Sequence, residues 1–401
     1  MLLMAWRNLW RVPRRTILTM AALSLGTTGI AFLSTYREAV YGQMTRAITT
    51  QLVGHMQVHG RGYQESPELT TVVPEPHLVE AQLAKAIPGA TSERRVIGAG
   101  LAGGATGSSG VVVMGLEAGQ SATIFTVKKG RGLTEAPEKE AVIGNELADE
   151  LGLDVGSELV LVGQATDGSV ANDRFTVVGV GDAGSSELNS TGVFLHLADA
   201  QDFFGLGDAV HLVVLHLPTD EEDITSFVMA ARAALDLKSL EALSWNELLP
   251  ELKKTMDSKR KNQHLVDVIV FLLVSLGVLN VMTMSTFERT REFGVMLAIG
   301  TRPARLLRLV VTEALLEGLL GYLAGVFFTF VLIQLFGTVN LSEMSSSDML
   351  GVRLPSVVEI HFQPRALVAA AITVAATMTV ASLFPAWRAS RLQPAVAVRE
   401  A

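Results

Sequence analysis

Four long apolar runs constrain this chain more than any other feature of its sequence, because about 20 consecutive apolar residues carry a helix across a bilayer. The runs are Thr16–Tyr36, Val268–Phe287, Leu315–Phe336 and Ala366–Phe384, and Glu317 is the one charged residue among them. Apolar residues make up 49% of the 401-residue chain and charged residues 18%. They are unevenly placed, so the middle keeps the composition of a soluble domain. The expectation is a four-helix membrane protein with one large mixed α/β domain outside the membrane, built as α/β halves with a small β-rich module inserted. The predicted boundaries are an amphipathic helix over 1–15, a first crossing over 16–36, the α/β domain with a stalk over 37–264 and a second crossing over 265–287. An inner loop follows over 288–303, then a third crossing over 304–336, a short outer loop over 337–365, a fourth crossing over 366–384 and a tail over 385–401.

Orientation follows from the arginines, since positive residues beside short loops stay cytoplasmic. Arg7, Arg11, Arg14 and Arg15 precede the first run, Arg289, Arg291, Arg302, Arg305 and Arg308 lie between the second and third, and Arg388, Arg391 and Arg399 follow the fourth. Both termini and the inner loop are therefore expected in the cytoplasm. The 37–264 stretch, with 31 Asp and Glu against 18 Lys and Arg, is expected outside. A basic start before an apolar run also fits a signal peptide. The first run exceeds the usual 7 to 15 residues of a signal core and lacks a small-x-small exit, so retention is the expected outcome.

Within the outer stretch, β-type runs recur at Met56–His59, Gly110–Met114, Leu159–Val162, Phe175–Val180 and Val210–Leu217, separated by Gly, Asp and Asn turn signals. Thr219 with Glu222 reads as a capping box opening a helix through Ile224, Phe227, Val228, Ala231 and Leu235. Another helix is expected over Glu75–Ile87. Glu140–Gly163 reads as strand, helix, turn and strand, with Arg174–Gly179 adding a strand to a barrel-like or sandwich-like module.

Several chemistries lack their residues. The chain has no cysteine, which excludes a disulfide framework and a thiolate metal site. His55, His59, His196, His211 and His216 sit on separate strands without metal-ligand spacing and read as surface or edge-strand histidines. No nucleophile elbow or other catalytic constellation is present. No Gly is followed by Lys, so no phosphate-binding G-x-x-x-x-G-K-[ST] loop exists.

The inner loop is the most informative stretch, FERTREFGVMLAIG from Phe287 to Gly300. It predicts a short amphipathic helix in which Phe293, Met296, Leu297 and Ile299 form an apolar patch. Glu288, Arg289, Arg291 and Glu292 make a charged first turn with (i, i+3) pairing, Gly300 offers a stop, and Arg302 and Pro303 restart the chain. Such a knob suits either a groove on a partner or the lipid headgroups.

This loop resembles the coupling helix of the FtsX-like permease family, the type VII ABC transporters, in which an E-R-T-R-E-[IF]-G run leads to an arginine-bearing helix ending E-A-L-x-x-G-x-x-G. The closing FPAWRASRLQPAVAVRE is similar to the family's C-terminal motif at Pro385, Ala386, Arg388, Ala389, Arg391, Leu392, Pro394 and Arg399, and WRNLWRVPRRT resembles its amphipathic N-terminal helix. The resemblance implies a non-catalytic permease subunit that works with a second permease copy or paralogue. Two copies of a separate ABC ATPase would dock on Glu288, Arg289, Thr290, Arg291, Glu292, Phe293, Gly294, Met296, Leu297, Gly300 and Arg302. It places ATP and Mg on that ATPase and no cofactor on this chain. The separate subunit, the long outer domain and its opening GHMQVHGRGY look most like the Lol-type permeases. That resemblance implies a bacterial inner membrane, lipoprotein substrates drawn from membrane lipid and a periplasmic carrier, with no nucleic acid. A regulator of cell-wall hydrolases and a MacB-like exporter are the alternatives.

Inside the membrane, Gly321 and Gly325 form a G-x-x-x-G pair suited to close helix packing. Ser24, Gly26, Thr27, Thr28 and Gly29, with Ser275, Gly277 and Asn280, are candidates to line a cavity between two permease copies. Glu313, Glu317 and Asp267 are ionisable groups at or near membrane depth, for which packing or interfacial placement is favoured over proton coupling.

Overall fold

The structure is a computed structural model, and it describes residues 2–11, 13–117, 124–219, 223–340, 357–360, 362 and 364–390. The chain divides into two compact units, one formed by residues 1–41, 256–340 and 357–401, the other by 42–255 with 341–356.

Hydrocarbon offers no hydrogen-bond partner to the backbone, so the apolar runs must satisfy their own peptide groups as helices. A short helix α1 (Leu2–Leu9) precedes α2 (Pro13–Ala47). The first membrane unit is completed by α9 (Pro250–Glu288), α10 (Thr290–Ala298), α11 (Pro303–Phe336) and α12 (Pro364–Ser390). Of these, α2, α9, α11 and α12 are long and apolar enough to cross a membrane. The first helix continues past the predicted end at Tyr36, because no Pro or Gly interrupts the stretch before Gly42 and Arg37 is drawn into the bundle by Asp267 at 3.2 Å and Ser34 at 2.9 Å. A core of Leu23, Val278, Met282, Ala314, Val374, Met378 and Ala381 joins all four long helices.

The second unit is built on ten strands: β1 (Met56–Gly60), β2 (Thr91–Gly103), β3 (Ser108–Leu116), β4 (Thr126–Gly130), β5 (Glu140–Gly144), β6 (Glu158–Gln164), β7 (Val170–Asp182), β8 (Gly192–His196), β9 (Leu212–His216) and β10 (Leu240–Ser244). The 13-residue β2 belongs to two structures at once. Its first half, 91–95, pairs with β9 in an antiparallel sheet of order β10-β1-β9-β2. Its second half pairs with β3 on one side and β6 on the other, and the circuit β2-β3-β8-β5-β7-β6 closes back on β2. That closed ring of six strands is the β-rich module, and closure leaves those strands without a free edge. β1 and β9 are buried along almost their whole length, as strands covered on both faces are, although β1 carries Gln57 and His59.

Short helices punctuate the sheet: α3 (Pro76–Ala86), α4 (Asn145–Leu151), α5 (Ser186–Thr191), α6 (Leu197–Phe204), α7 (Thr225–Ala234) and α8 (Trp245–Leu248). α3 packs on α7 and β2, and α7 packs on β10. α7 begins at Thr225, where the Asp223 carboxylate accepts from the Thr225 N–H at 3.1 Å. Thr219 lies too far upstream to cap it, and its expected partner Glu222 falls outside the described residues. The capping box is instead at α8, where Ser244 and Glu247 bond reciprocally.

The histidines also differ from expectation. His59 on β1 and His211 just before β9 are fully buried. Tyr63 lies between the two imidazoles at 5.6 and 5.7 Å. His211 accepts from the Ile97 N–H on Nδ1 at 3.1 Å and reaches the Leu69 carbonyl with Nε2 at 3.0 Å. Burial is the larger influence on His211 and holds its pKa below the usual histidine range, against the opposing pull of the Leu69 carbonyl. Among the described residues, no group of three His, Asp or Glu stands ready to hold a metal ion.

Candidate coupling site

The residues joining α9 to α11 make a sharp reversal. The α9 helix breaks at Arg289, and the Thr290 hydroxyl donates to the Phe287 carbonyl at 2.8 Å across the break. α10 then ends as the sequence predicts. Gly300 adopts φ +96°, a left-handed conformation that glycine takes without steric cost, and the Gly300 and Thr301 N–H groups return to Leu297 and Met296. Arg302 takes the N-cap position and Pro303 opens α11.

α10 has two faces. Phe293, 1% exposed, is the anchor of the inner face and packs with Leu306 and Val310 of α11 and Ala386 of α12, flanked by Met296 and Leu297. Gly294 is buried beside it. Ile299 does not join this patch. It is 79% exposed and shares the outer face with Val295, because the turn at Gly300 carries it away from α11. Glu288, Arg291 and Arg302 are exposed around them. An apolar centre with a charged rim is the anatomy of a docking patch.

Beneath this patch lies a charge network. Arg289 donates to Glu313 of α11 at 2.6 Å and to Glu292 at 3.3 Å, the latter being the expected (i, i+3) pair, while its guanidinium stands 5.0 Å from the Phe293 ring centre. Asn8 donates to the same Glu313 at 2.5 Å, and Arg11 donates to Glu292 at 2.7 Å. Thus α1, α10 and α11 are tied through two carboxylates. Burial disfavours charge on Arg289, but hydrogen bonds and attraction from Glu313 and then Glu292 outweigh it, and its pKa is held above the usual arginine value. Asn8 and Arg11 were not expected here: nothing in the local sequence links the N-terminal helix to a loop some 280 residues later. Arg388 of α12 adds a second cation over an aromatic ring, 4.6 Å from the centre of Phe287.

Ser24, Thr27, Thr28, Gly321 and Gly325, five of the membrane residues singled out in the sequence, fall into one contact. A Cβ on Gly321 would stand 2.6 Å from the Cβ of Leu23, and one on Gly325 would stand 2.5 Å from the Cβ of Thr27 and 2.9 Å from the Ser24 carbonyl. The Thr28 hydroxyl bonds the Ser24 carbonyl at 2.8 Å and that of Gly325 at 3.1 Å. Ser24, Thr27 and Thr28 are therefore buried within this chain, where the small residues of α11 let α2 approach. Ser275 faces Thr377 of α12 at 3.5 Å, and Asn280 is exposed on α9. Glu317 is 3% exposed, turned into the bundle, whereas Asp267 pairs with Arg37.

Comparison with known proteins bears on both units. Residues 265–394 match the FtsX-like permease C-terminal family, and residues 16–234 match the MacB-like periplasmic core domain family. The chain is 26% identical over 279 residues to the lipoprotein-releasing system transmembrane protein LolC of Xylella fastidiosa, covering 65% of each chain. It is 22% identical over 413 residues to the pyoverdine export ATP-binding/permease protein PvdT of Pseudomonas fluorescens, covering 98% of this chain and 58% of the relative. The chain thus spans about two thirds or less of the length of these curated relatives. The periplasmic region of MacB from Actinobacillus actinomycetemcomitans aligns with a TM-score of 0.37 at 13% identity, over 50% of this chain and 92% of that one. With the core-domain match covering more than half of the residues and the permease match covering the helices that hold α10, the chain belongs to the FtsX/MacB/LolC family of ABC transporter permeases.

Proposed function

We propose that this protein is the membrane subunit of an ABC transporter whose ATPase is a separate chain. ATP-driven closure of two ATPase copies pushes on α10 from the cytoplasm, and the membrane helices pass that movement to the α/β unit in the periplasm. The observation that carries this reading is the two-sided α10. Phe293 and Arg289 fix its inner face to α11 and α12, while Val295 and Ile299 stand exposed within a ring of charge. A helix free to slide would transmit nothing. Both termini lie in the cytoplasm under this reading, and the membrane is the inner membrane of a bacterium.

The substrate reading is lipoprotein release. It rests on similarity to LolC, whose name states that role. The α/β unit would act on lipoproteins at the outer leaflet and pass them to a periplasmic carrier, so that no substrate crosses the membrane. Two permease copies, identical or paralogous, complete the assembly, and the exposed Asn280 on α9 is a polar group that a second copy would satisfy. Similarity to PvdT along 98% of the chain supports a second reading, export of a small peptide-like molecule. Depletion separates the two. Lipoprotein release predicts that mature lipoproteins accumulate in the inner membrane on depletion. Correct sorting with retention of a small exported compound would replace that reading with export.

A further inference from the structure

We infer that the groove between α2 and α11 is a binding site for one acyl chain of an anionic phospholipid, from the leaflet at the arginine end of the bundle. The groove has a volume of about 560 Å³ and an almost wholly apolar wall. It is lined by Ile17, Ala21, Leu25 and Thr28 of α2 and by Ala324 and Phe328 of α11. Such a volume lies within the ~300–1,000 Å³ common for ligand sites.

Three observations select the occupant. The first is length. From Ile17 to Thr28 a helix rises about 16 Å at ~1.5 Å per residue, which is half of a hydrocarbon core about 30 Å thick. The groove therefore matches one leaflet and a single lipid tail.

The second is its foot. Trp10 closes that end, 47% exposed and 6.0 Å from Trp6 in an edge-on pair. Indole rings of this kind settle at headgroup depth. The turn that brings Trp10 there is fixed by the Thr16 hydroxyl, which donates to the Leu9 carbonyl at 2.6 Å.

The third is charge. Arg14 stands one helical turn before Ile17, at the head of the stripe Arg14, Ile17, Ala21, Leu25 and Thr28 on one face of α2. Arg11 is engaged by Glu292, whereas Arg7 and Arg14 are exposed and have no acidic partner among the described residues. A headgroup phosphate at this depth supplies the anion that Arg14 lacks, and a second negative charge on the headgroup strengthens the attraction. A protein partner would leave the match to one leaflet without a reason.

The test is native mass spectrometry of the intact assembly, purified in mild detergent and supplied with phosphatidylglycerol or phosphatidylcholine. The wild type is expected to retain at least threefold more phosphatidylglycerol. Ala21→Trp fills the groove and is expected to remove the bound lipid, and Ala324→Trp does so from the opposite wall if the first variant does not accumulate. Arg14→Gln is expected to keep lipid binding and lose the preference between headgroups. Leu335→Trp, on an exposed part of α11 outside the groove, is expected to change nothing. Unchanged phosphatidylglycerol binding in both groove variants overturns the site. So does loss of the permease pair without loss of lipid, which makes the groove a contact between copies.

Discussion

At the scale of single residues, Arg289 is the side chain on which the coupling site turns. It joins two carboxylates and an aromatic ring, with its own side chain and that of Glu313 each about one tenth exposed. Removing one partner of such a pair strands the other, at a cost of about 3–5 kcal/mol. Arg289→Ala is therefore expected to lower the unfolding temperature in detergent and to abolish transport, whereas Arg11→Ala, which removes an exposed bond to Glu292, costs under ~1 kcal/mol. A calorimetric scan of both variants measures the difference. His211 carries the pH dependence. Its neutral form accepts from Ile97 and donates to Leu69, and burial lowers its pKa below the ordinary ~6.5 of the unfolded chain. Its contribution is whole above about pH 6.5 and is lost as pH falls toward the depressed folded value, because the unfolded state then binds the extra proton. His211→Asn is expected to unfold with a smaller difference between pH 7.5 and pH 5.5 than the wild type shows. The sequence made Arg289 and Glu292 visible as an (i, i+3) pair. It could not reveal Asn8 or Arg11 beside them, nor the burial of His211, since those depend on which distant elements fold together.

Elements read more easily than contacts. Gly300 and Pro303 marked the end of α10 and the start of α11 because each satisfies a backbone demand set locally. The faces of α10 were harder: Phe293 and Ile299 share apolar character, and only the packing of α11 and α12 decides which is buried. Phe293→Ala is expected to cost about 3–5 kcal/mol by the cavity it leaves, and Ile299→Ala almost nothing in stability. Between α2 and α11 the glycines set the approach. Gly325→Ala brings a methyl within 2.5 Å of the Thr27 Cβ, so the helices must part, at about 1–3 kcal/mol. Adding Thr27→Gly in the same chain is expected to recover most of that loss, and thermal unfolding of the single and double variants checks it. A double variant no more stable than Gly325→Ala would show that the contact does not limit the approach.

For the whole molecule, composition alone separated a membrane part from a soluble part, because an apolar run of bilayer length has few other uses. The β-rich module of the second unit was legible as barrel-like or sandwich-like from Glu140–Gly163 and Arg174–Gly179, but the strands that close it were not, since closure depends on β6 meeting β2, which precedes it by some 60 residues. Family membership rests on the core-domain and permease matches together, and the central claim is that α10 is where the ATPase acts. The chain contains no cysteine, so one introduced residue reports without background. The most direct measurement is Ile299→Cys in native membranes, treated with a short photoactivatable thiol crosslinker and analysed by mass spectrometry. The account predicts a single major adduct with an ABC ATPase, formed by reagent reaching the cytoplasmic side. An adduct with lipid alone, or labelling from the periplasmic side, would contradict it.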